Sequence, residues 1–172
     1  MKFTQTPLQG AYTISLEKLE DERGFFGRAF CVHELEFIES NIQIIQANDS
    51  FSKKKGTMRG LHYQLSPYAE IKIVRCIKGA LFDVIVDLRE SSPSFMKYFG
   101  TELTGENRQM IYVPRGFAHG FLTLEDNTEA LYLSSAPYSP KHERGLRWND
   151  SAIKIRWPFN PKAVSEKDLA HP

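Results

Sequence analysis

The sequence predicts an all-β fold, in which many short strands form a sandwich or barrel with a few short helices. Short apolar segments recur at intervals of about 8 to 12 residues and are separated by Gly, Pro, Asn and Ser. The nine prolines are dispersed among these segments, and no internal repeat or linker-like tract divides the chain. We therefore expect one domain that spans residues 1–172.

The composition excludes partners that bind through a strong overall charge. The 172 residues include 22 Lys and Arg against 21 Asp and Glu, which gives a formal net charge of +1. No overall field would attract nucleic acid or an anionic membrane. Hydrophobic residues make up 41% of the chain, enough for a sizeable core. We expect no nucleic-acid or membrane partner, and any anion site must be local.

The N-terminal segment and the cysteines indicate a cytoplasmic protein. The N-terminal segment contains no apolar stretch followed by small residues, as a secretion signal would. No apolar run approaches the length that spans a membrane. Cys31 and Cys76 lack the spacing of a metal or redox motif and suit a reducing compartment. We interpret both as core or strand residues.

The clearest predicted strand covers residues 81–89. Apolar residues at 82, 84, 86 and 88 alternate there with Asp83, Asp87 and Arg89, and a Lys-Gly turn precedes the strand. Further strands are predicted at residues 24–30, 42–46, 57–64, 71–77, 98–103, 110–113, 120–124 and 130–135. Short helices are expected at residues 32–40 and 163–170.

Alternation within two of these strands gathers polar residues on one face. Side chains two residues apart point to the same side of a strand, so His62 and Gln64 lie together. In the next strand Lys72 shares a face with Val74 and Cys76. We expect both faces to point into a shared concave interior.

A turn motif farther along the chain points to a known type of barrel. Residues 112–121, YVPRGFAHGF, combine a Pro-x-Gly turn with His119 three residues beyond its glycine. Here the sequence resembles the cupin barrels, which usually bind a metal through an H-x-H pair, a Glu seven residues before a Gly, and a His after P-x-G. The resemblance implies a cupin-type β-barrel or jelly roll of two antiparallel sheets.

The residues at the cupin metal positions are poor metal ligands. Gln64 replaces the second histidine of the pair, and Lys72 stands seven residues before Gly79, where a Glu ligand would be. A lysine ammonium has no lone pair to offer and repels a cation. The sequence therefore predicts neither a metal nor another cofactor, and the remaining side chains resemble acid and base groups.

Eight strings of residues, in one order, carry a closer resemblance. They are DERGFFGR (21–28), KGTMRGLHYQ (55–64), KIVRCIKGALFDVIVDLR (72–89), SPSF (92–95), YVPRGFAHGF (112–121), ERGLRWND (143–150), WP (157–158) and SEKD (165–168). Here the sequence resembles the dTDP-4-dehydrorhamnose 3,5-epimerases over nearly the whole chain. The resemblance implies an epimerase that inverts C3, C5 or both of a 4-keto sugar linked to a nucleoside diphosphate.

The same resemblance implies roles for individual residues. His62 matches the general base and Asp168 its hydrogen-bonded orienter, while Tyr132 matches the acid on the opposite face of the sugar ring. Lys72 corresponds to the cation near the keto oxygen. The residues at substrate-contacting positions are Arg23, Gln46, Asn48, Arg59, His119 and Tyr138, of which Tyr138 is also the reserve candidate for the acid.

These residue types suit proton transfer beside a keto group. A carbon proton there becomes removable when the charge that appears on oxygen is stabilised, which a fixed Lys72 provides. An imidazole such as His62 can take the proton near neutral pH, and the phenol of Tyr132 can donate one from the other face. Two alternatives stay open: a sugar-nucleotide 3,4-ketoisomerase and a non-catalytic sugar-nucleotide-binding cupin.

Three positions at the expected base-binding edge depart from the family pattern. Family members that handle thymidine nucleotides commonly carry Phe-Gly before DERGFF and a Glu after it, where this chain has Leu19, Glu20 and Arg28. The loss of an aromatic surface and the reversed charge leave the base open among thymine, guanine, cytosine and uracil. The resemblance also implies a homodimer in which an N-terminal strand crosses to the partner's sheet and Arg23 serves the neighbouring cleft.

Overall fold

The computed structural model describes residues 1–172 and contains thirteen strands and two short helices. The strands are β1 (Lys2–Gln5), β2 (Tyr12–Ser15), β3 (Lys18–Asp21), β4 (Gly24–Gly27), β5 (Gln46–Ser52), β6 (Met58–Gln64), β7 (Lys72–Lys78), β8 (Ala80–Asp87), β9 (Tyr98–Thr104), β10 (Met110–Val113), β11 (Phe117–Thr123), β12 (Thr128–Ser134) and β13 (Glu143–Gly145). The helices are α1 (Val32–Leu35) and α2 (Glu166–Leu169). Neither helix has the length or apolar content needed to cross a membrane.

Two antiparallel sheets face each other and form the body of the fold. The first has six strands in the order β1-β2-β10-β7-β12-β5, and the second has five in the order β13-β6-β11-β8-β9. Strands β3 and β4 form a separate hairpin. The predicted all-β fold, with two antiparallel sheets and a few short helices, is confirmed.

One apolar cluster fills the space between the two sheets. Val74 and Ala130 from the six-stranded sheet pack there with Leu81 and Ile85 from the five-stranded sheet, and all four are fully buried. Burial of apolar surface is the main favourable contribution to folding, at about 25 cal/mol per Å². Tyr132 packs against this cluster, so the apolar core borders the polar cleft of the site.

The outer face of each sheet is covered by a second layer of apolar residues. Ile73 packs outside the six-stranded sheet with Leu35 of α1, and Leu61 packs outside the five-stranded sheet with residues near the C-terminus. Since neighbours in a strand point to opposite sides, Lys72 and His62 must point inward. The predicted faces of both strands are confirmed.

Strand β8 is confirmed, but both of its faces are buried. Val84 and Val86 pack on the outer side, while Ile85 belongs to the inner core. Asp83 and Asp87, which alternate with these apolar residues, are also fully buried. The alternation therefore separates two buried layers, and the inner layer contains carboxylates that require partners.

The carboxylate of Asp87 anchors the segment that follows β8. It accepts hydrogen bonds from the Arg89 guanidinium at 2.8 Å and from the hydroxyls of Ser92 and Ser94 at 2.5 and 2.6 Å. Burial alone would raise the pKa of Asp87, but these donors hold it at about 2. Arg89 also donates to the main-chain carbonyl of Gln9 at 2.6 Å, which ties the segment to the N-terminal strands.

Several element boundaries differ from those that the sequence predicts. The prediction of a strand at residues 42–46 is wrong, because β5 begins only at Gln46 and Ile42 packs instead in the outer apolar layer. The expected helices at 32–40 and 163–170 shrink to four residues each. Strands β1, β2, β3 and β13 are three or four residues long, too short for an alternation to be recognised.

Asp87→Asn should lower the free energy of unfolding at neutral pH. It should also make this free energy vary less with pH in the acid range. The folded-state pKa is about 2 against an ordinary value of 3.8. Because the folded-state value is the lower one, the stabilisation is present above about pH 4 and is lost as the pH falls to about 2. The linked free energy is about 2 kcal/mol, which urea denaturation at pH 7 and at about pH 3 would measure.

The exposed carboxylate of Asp49 provides a matched control. Asp49→Asn should leave the free energy of unfolding at pH 7 nearly unchanged, since surface substitutions usually change stability by less than about 0.5 kcal/mol. An Asp87→Asn protein with the pH dependence of the wild type would contradict the prediction.

Candidate active site

A cleft of about 400 Å³ opens between the two sheets. Strand β6 of the five-stranded sheet contributes His62 and Gln64, while β7 and β12 of the six-stranded sheet contribute Lys72 and Tyr132. A second cleft of about 480 Å³ also contains His62, Lys72 and Tyr132 in its lining. The predicted base, cation and acid therefore lie together, with the base on one sheet and the acid on the other.

The ring of His62 is held by a buried carboxylate. Its Nε2 lies 2.6 Å from Oδ1 of Asp168, whose side chain is 5% exposed. An imidazole that donates its Nε2 proton to a carboxylate keeps its lone pair on Nδ1. The His62 side chain is 29% exposed, so the ring is open to a ligand while its orientation is fixed.

The first turn of α2 places Asp168 beside β6. Ser165 caps this helix, and its hydroxyl accepts a hydrogen bond from the backbone N–H of Asp168 at 3.1 Å. The backbone N–H of Gly60 approaches the second carboxylate oxygen at 3.4 Å. Burial alone would raise the pKa of Asp168, but the hydrogen bond and charge of His62 hold it below its ordinary value.

Lys72 enters the cleft as one half of an ion pair. Its Nζ lies 2.9 Å from Oε1 of Glu70, and the two side chains are 15% and 5% exposed. The other carboxylate oxygen of Glu70 accepts a hydrogen bond from Gln64. Sequence reasoning missed Glu70, although its spacing of two residues from Lys72 was an available signal. The pair fixes the ammonium group and partly offsets its charge.

Tyr132 faces the cleft from β12. In the antiparallel register it lies beside Asn48 of β5 and Val74 of β7. Burial raises the pKa of Tyr132 above its ordinary value, while the positive charge of Arg59 opposes the shift and nearby carboxylates add to it. The phenol therefore keeps its proton through the neutral range and can act as a donor.

Tyr138, Glu143 and Lys167 form a hydrogen-bonded group that lines the same cleft. The Tyr138 hydroxyl donates to Oε2 of Glu143 at 2.7 Å, and the Lys167 ammonium donates to the same oxygen at 2.5 Å. The bond to Glu143 raises the pKa of Tyr138, so this phenol also stays protonated. Sequence reasoning missed Glu143 and Lys167, although both lie within the strings ERGLRWND and SEKD.

The remaining polar residues of β5 and β6 lie where the sequence predicts substrate contacts. Gln46 and Asn48 line the first cleft and bond to each other at 2.7 Å, and Gln46 also accepts the backbone N–H of Tyr138 at 3.3 Å. Arg59 lines the second cleft, where its guanidinium donates to the hydroxyl of Ser52 at 3.2 Å. Arg59 is exposed and offers a cation for a ligand anion.

His119 is buried deeper than the other predicted contacts. It lies opposite His62 in the β6–β11 pairing, lines the second cleft and is 8% exposed. Its Nε2 lies 2.8 Å from Oδ2 of the buried Asp83. Asp83 was predicted only as a strand residue, and its hydrogen bond with His119 explains why an acidic residue occupies the inner layer of β8.

The structure does not bring Arg23 into the cleft of its own chain. Arg23 lies at the tip of the β3–β4 hairpin, where its side chain is 85% exposed and pairs with Asp21 at 2.6 Å. Leu19 and Phe26 of the same hairpin are 71% and 73% exposed. Arg23 lines neither cleft of its own chain, so its contact with a substrate stays a prediction that requires the neighbouring cleft.

Nearly the whole chain matches one protein family. The model of the dTDP-4-dehydrorhamnose 3,5-epimerase family matches residues 5–172. The dTDP-4-dehydrorhamnose 3,5-epimerase of Shigella flexneri is 46% identical over 170 residues, which are 98% of this chain and 93% of that protein. This chain belongs to the dTDP-4-dehydrorhamnose 3,5-epimerase family.

Solved structures of the same epimerase family agree with the fold. The dTDP-4-dehydrorhamnose 3,5-epimerase from Elizabethkingia anophelis NUHP1 has a TM-score of 0.95 and 40% identity, with 100% of this chain and 95% of that chain covered. The dTDP-6-deoxy-D-glucose-3,5-epimerase from Legionella pneumophila Philadelphia 1, solved in complex with dTDP-4-keto-L-rhamnose, has a TM-score of 0.92 and 35% identity, with 99% and 90% covered. The cupin-type fold is confirmed, and the chain is an isomerase of the epimerase type.

The ion pair between Glu70 and Lys72 should appear as a coupling free energy. Glu70→Gln and Lys72→Met should each destabilise the protein, because each leaves a buried polar partner without its counterpart. The double variant should lose less stability than the sum of the losses in the two single variants. The difference, the coupling free energy, should be about 1 kcal/mol or more, as for residues in direct contact. Urea denaturation of the four proteins measures this cycle, and additivity within about 0.3 kcal/mol would contradict it.

Proposed function

We propose that this chain inverts C3, C5 or both of a dTDP-linked 4-keto-6-deoxy sugar through an enolate. The observation that carries the proposal is the placement of His62 and Tyr132 on opposite walls of one cleft, with Lys72 in the same lining. The names of the relatives and the bound dTDP-4-keto-L-rhamnose of the Legionella structure support the thymidine form, although the sequence alone leaves the base open.

His62 is the base in this proposal. Its Nδ1 takes the proton from the carbon beside the keto group, and the ring becomes an imidazolium that Asp168 stabilises through the 2.6 Å hydrogen bond. A positioned general base contributes on the order of 10² to 10⁴ in rate. The electron pair of the broken C–H bond forms the C=C bond of the enolate, and the negative charge appears on the keto oxygen.

Lys72 stabilises the oxyanion that this step creates. Its ammonium group is held by Glu70 at 2.9 Å, so it needs little reorganisation when the charge develops. A donor of this kind is commonly worth about 2.7 to 4 kcal/mol in the transition state. The bond to Glu70 weakens the field of the cation but fixes its position.

Tyr132 completes the inversion by returning a proton to the opposite face of the carbon. Its raised pKa, caused mainly by burial, keeps the phenol protonated until the enolate forms. The phenolate that remains lies near the positive charge of Arg59. Arg59 also supplies an exposed guanidinium for the diphosphate, while Gln46 and Asn48 offer amide groups to the sugar or base.

Exchange with D₂O separates the two proton transfers. With a dTDP-linked 4-keto-6-deoxy sugar, the wild type should incorporate deuterium at C3, C5 or both and invert the same centres, as NMR would detect. His62→Ala should lose the exchange by about 10² or more, since no base remains. Tyr132→Phe should retain part of the exchange and lose inversion, whereas Tyr138→Phe should retain both.

The same experiment tests the alternatives. A product with a 3-keto group would establish the ketoisomerase instead, and ligand binding without any exchange would establish a non-catalytic binding protein. Loss of inversion in Tyr138→Phe with inversion retained in Tyr132→Phe would transfer the acid role to Tyr138. Faster exchange with a GDP-, CDP- or UDP-linked sugar than with the dTDP-linked sugar would contradict thymine as the nucleotide base of the substrate.

We propose further that the chain forms a homodimer by exchange of its N-terminal hairpin. The hairpin of β3 and β4 exposes Leu19 and Phe26 and pairs with neither sheet of its own chain. Strand β5, which carries Gln46 and Asn48, is an edge strand of the six-stranded sheet and can accept a partner's strand. A hairpin placed there would bring Arg23 to the neighbouring cleft.

Mixed dimers test this exchange of Arg23. Chains with His62→Ala and chains with Arg23→Ala are coexpressed with different tags to form mixed dimers. In a mixed dimer, one of the two clefts combines the intact His62 of one chain with the intact Arg23 of the other, so that cleft should regain activity. Each variant alone should be impaired, and light scattering should give twice the mass of one chain. Mixed dimers no more active than the average of their parents would contradict an Arg23 that acts across the interface.

A further inference from the structure

A second histidine lies against the pair of His62 and Asp168. Nε2 of His171 is 4.0 Å from Oδ1 of Asp168, and its ring lies edge to face with that of His62 at 5.7 Å between centroids. Nε2 of His171 is buried and has no hydrogen-bond partner. The mechanism proposed above does not use this nitrogen.

The fold makes room for this histidine. A Cβ atom at Gly145 would lie 2.3 Å from ring atoms of His171, so only glycine at that position of β13 leaves space for the ring. The last residue is also fixed, since the backbone N–H of Arg147 donates to the carbonyl of Pro172 at 3.1 Å. The imidazole of His171 is therefore held beside Asp168 by a docked chain end.

Together these groups present three ligand atoms to one point. One nitrogen of each histidine and one oxygen of Asp168 all lie within 4.8 Å of one another, and Asp168 is buried. Two imidazoles and one carboxylate form a donor set that suits Zn²⁺, which binds them at about 2.0 to 2.2 Å. Ligand atoms around a tetrahedral ion would stand about 3.4 Å apart, so small movements of the side chains would suffice.

We propose that His62, Asp168 and His171 form an inhibitory Zn²⁺ site. This inference rests on the proposed epimerase function only for the consequence of binding, not for the binding itself. The site shares His62 with the metal position of the cupins, but Asp168 and His171 supply its other ligands in place of the residues at positions 64 and 72.

Inhibition follows from the electron pairs of His62. A Zn²⁺ ion that binds Nε2 displaces the proton from that nitrogen, and the ring carries its one proton on Nδ1 instead. No lone pair then faces the substrate, and the hydrogen bond to Asp168 is replaced by two bonds to the ion. The ring is neutral before and after, so no proton is released, and the base is blocked as long as the ion stays.

Direct binding is measured first. Tag-free protein, freed of metal with EDTA, should bind one Zn²⁺ per chain by isothermal titration calorimetry, and Co²⁺ should give the visible absorption of a site with nitrogen ligands. Mg²⁺, which prefers six oxygen ligands, should not compete. His171→Phe retains an aromatic ring and removes the ligand nitrogen. This variant should weaken Zn²⁺ binding by about 10-fold to 100-fold or more, because removal of a group that only hydrogen-bonds to a metal ligand already costs that much.

Activity is measured in parallel, with inhibition expressed relative to each protein without metal. Zn²⁺ should suppress deuterium exchange of the wild type in proportion to occupancy, and EDTA should restore it. His171→Phe should exchange at the same Zn²⁺ concentration with little inhibition, and His33→Ala, which removes an exposed histidine of α1, should behave as the wild type does.

Each outcome decides the inference. Equal Zn²⁺ affinity of the wild type and His171→Phe, or full activity with one Zn²⁺ bound, would overturn the site. Equal inhibition of both proteins would place the inhibitory ion elsewhere and overturn it as well. If Zn²⁺ binds in the expected way but no exchange occurs with any sugar nucleotide, the binding site stands and the proposed epimerase function fails.

Discussion

The hydrogen bond between His62 and Asp168 is the contact on which the rest of the site depends. It joins residues 106 positions apart, one on strand β6 and one on the last helix. The C-terminal segment can reach β6 because its backbone is tied there, where Met58 donates to Ala163 at 2.8 Å. The packing of this segment on β6 therefore also fixes the orientation of the His62 ring.

A second constraint is that the interior between the sheets contains carboxylates without access to bulk water. Each has a polar partner: one oxygen of Asp83 bonds to His119, Asp87 bonds to Arg89 and two serines, and Glu70 bonds to Lys72. An unpaired carboxylate at these positions would cost several kcal/mol. The pairing fixes the side chains at the cleft before a ligand arrives, which is the condition under which fixed charges stabilise a developing oxyanion well.

The sequence predicts the inner faces of the strands well because period-two alternation is strict. His62, Gln64 and Lys72 could be placed on inward faces from their neighbours alone, and the apolar layers outside both sheets confirm this. The partnership of Asp168 with His62 came only from resemblance, because no local pattern reports a contact across 106 residues. The boundaries of β5 were missed because this strand has mixed polarity, and the N-terminal strands were missed because four residues are too few for a clear period.

Residues that act through pairing were the hardest to predict. Glu70, Glu143 and Lys167 each look like ordinary surface charges in the sequence, and only their burial or convergence in the structure sets them apart. Arg23 shows the converse, since a residue placed in the cleft by resemblance lies on an exposed hairpin of its own chain.

The two-sheet architecture explains why this fold suits an inversion. A site built on one sheet would hold base and acid on the same side of a bound ring and could only return a proton to the face it left. Here the ring would lie between facing sheets, with His62 on one and Tyr132 on the other. The apolar core that joins the sheets also packs against Tyr132, and this partial burial raises the pKa of Tyr132, so the same packing that sets the geometry keeps the phenol protonated.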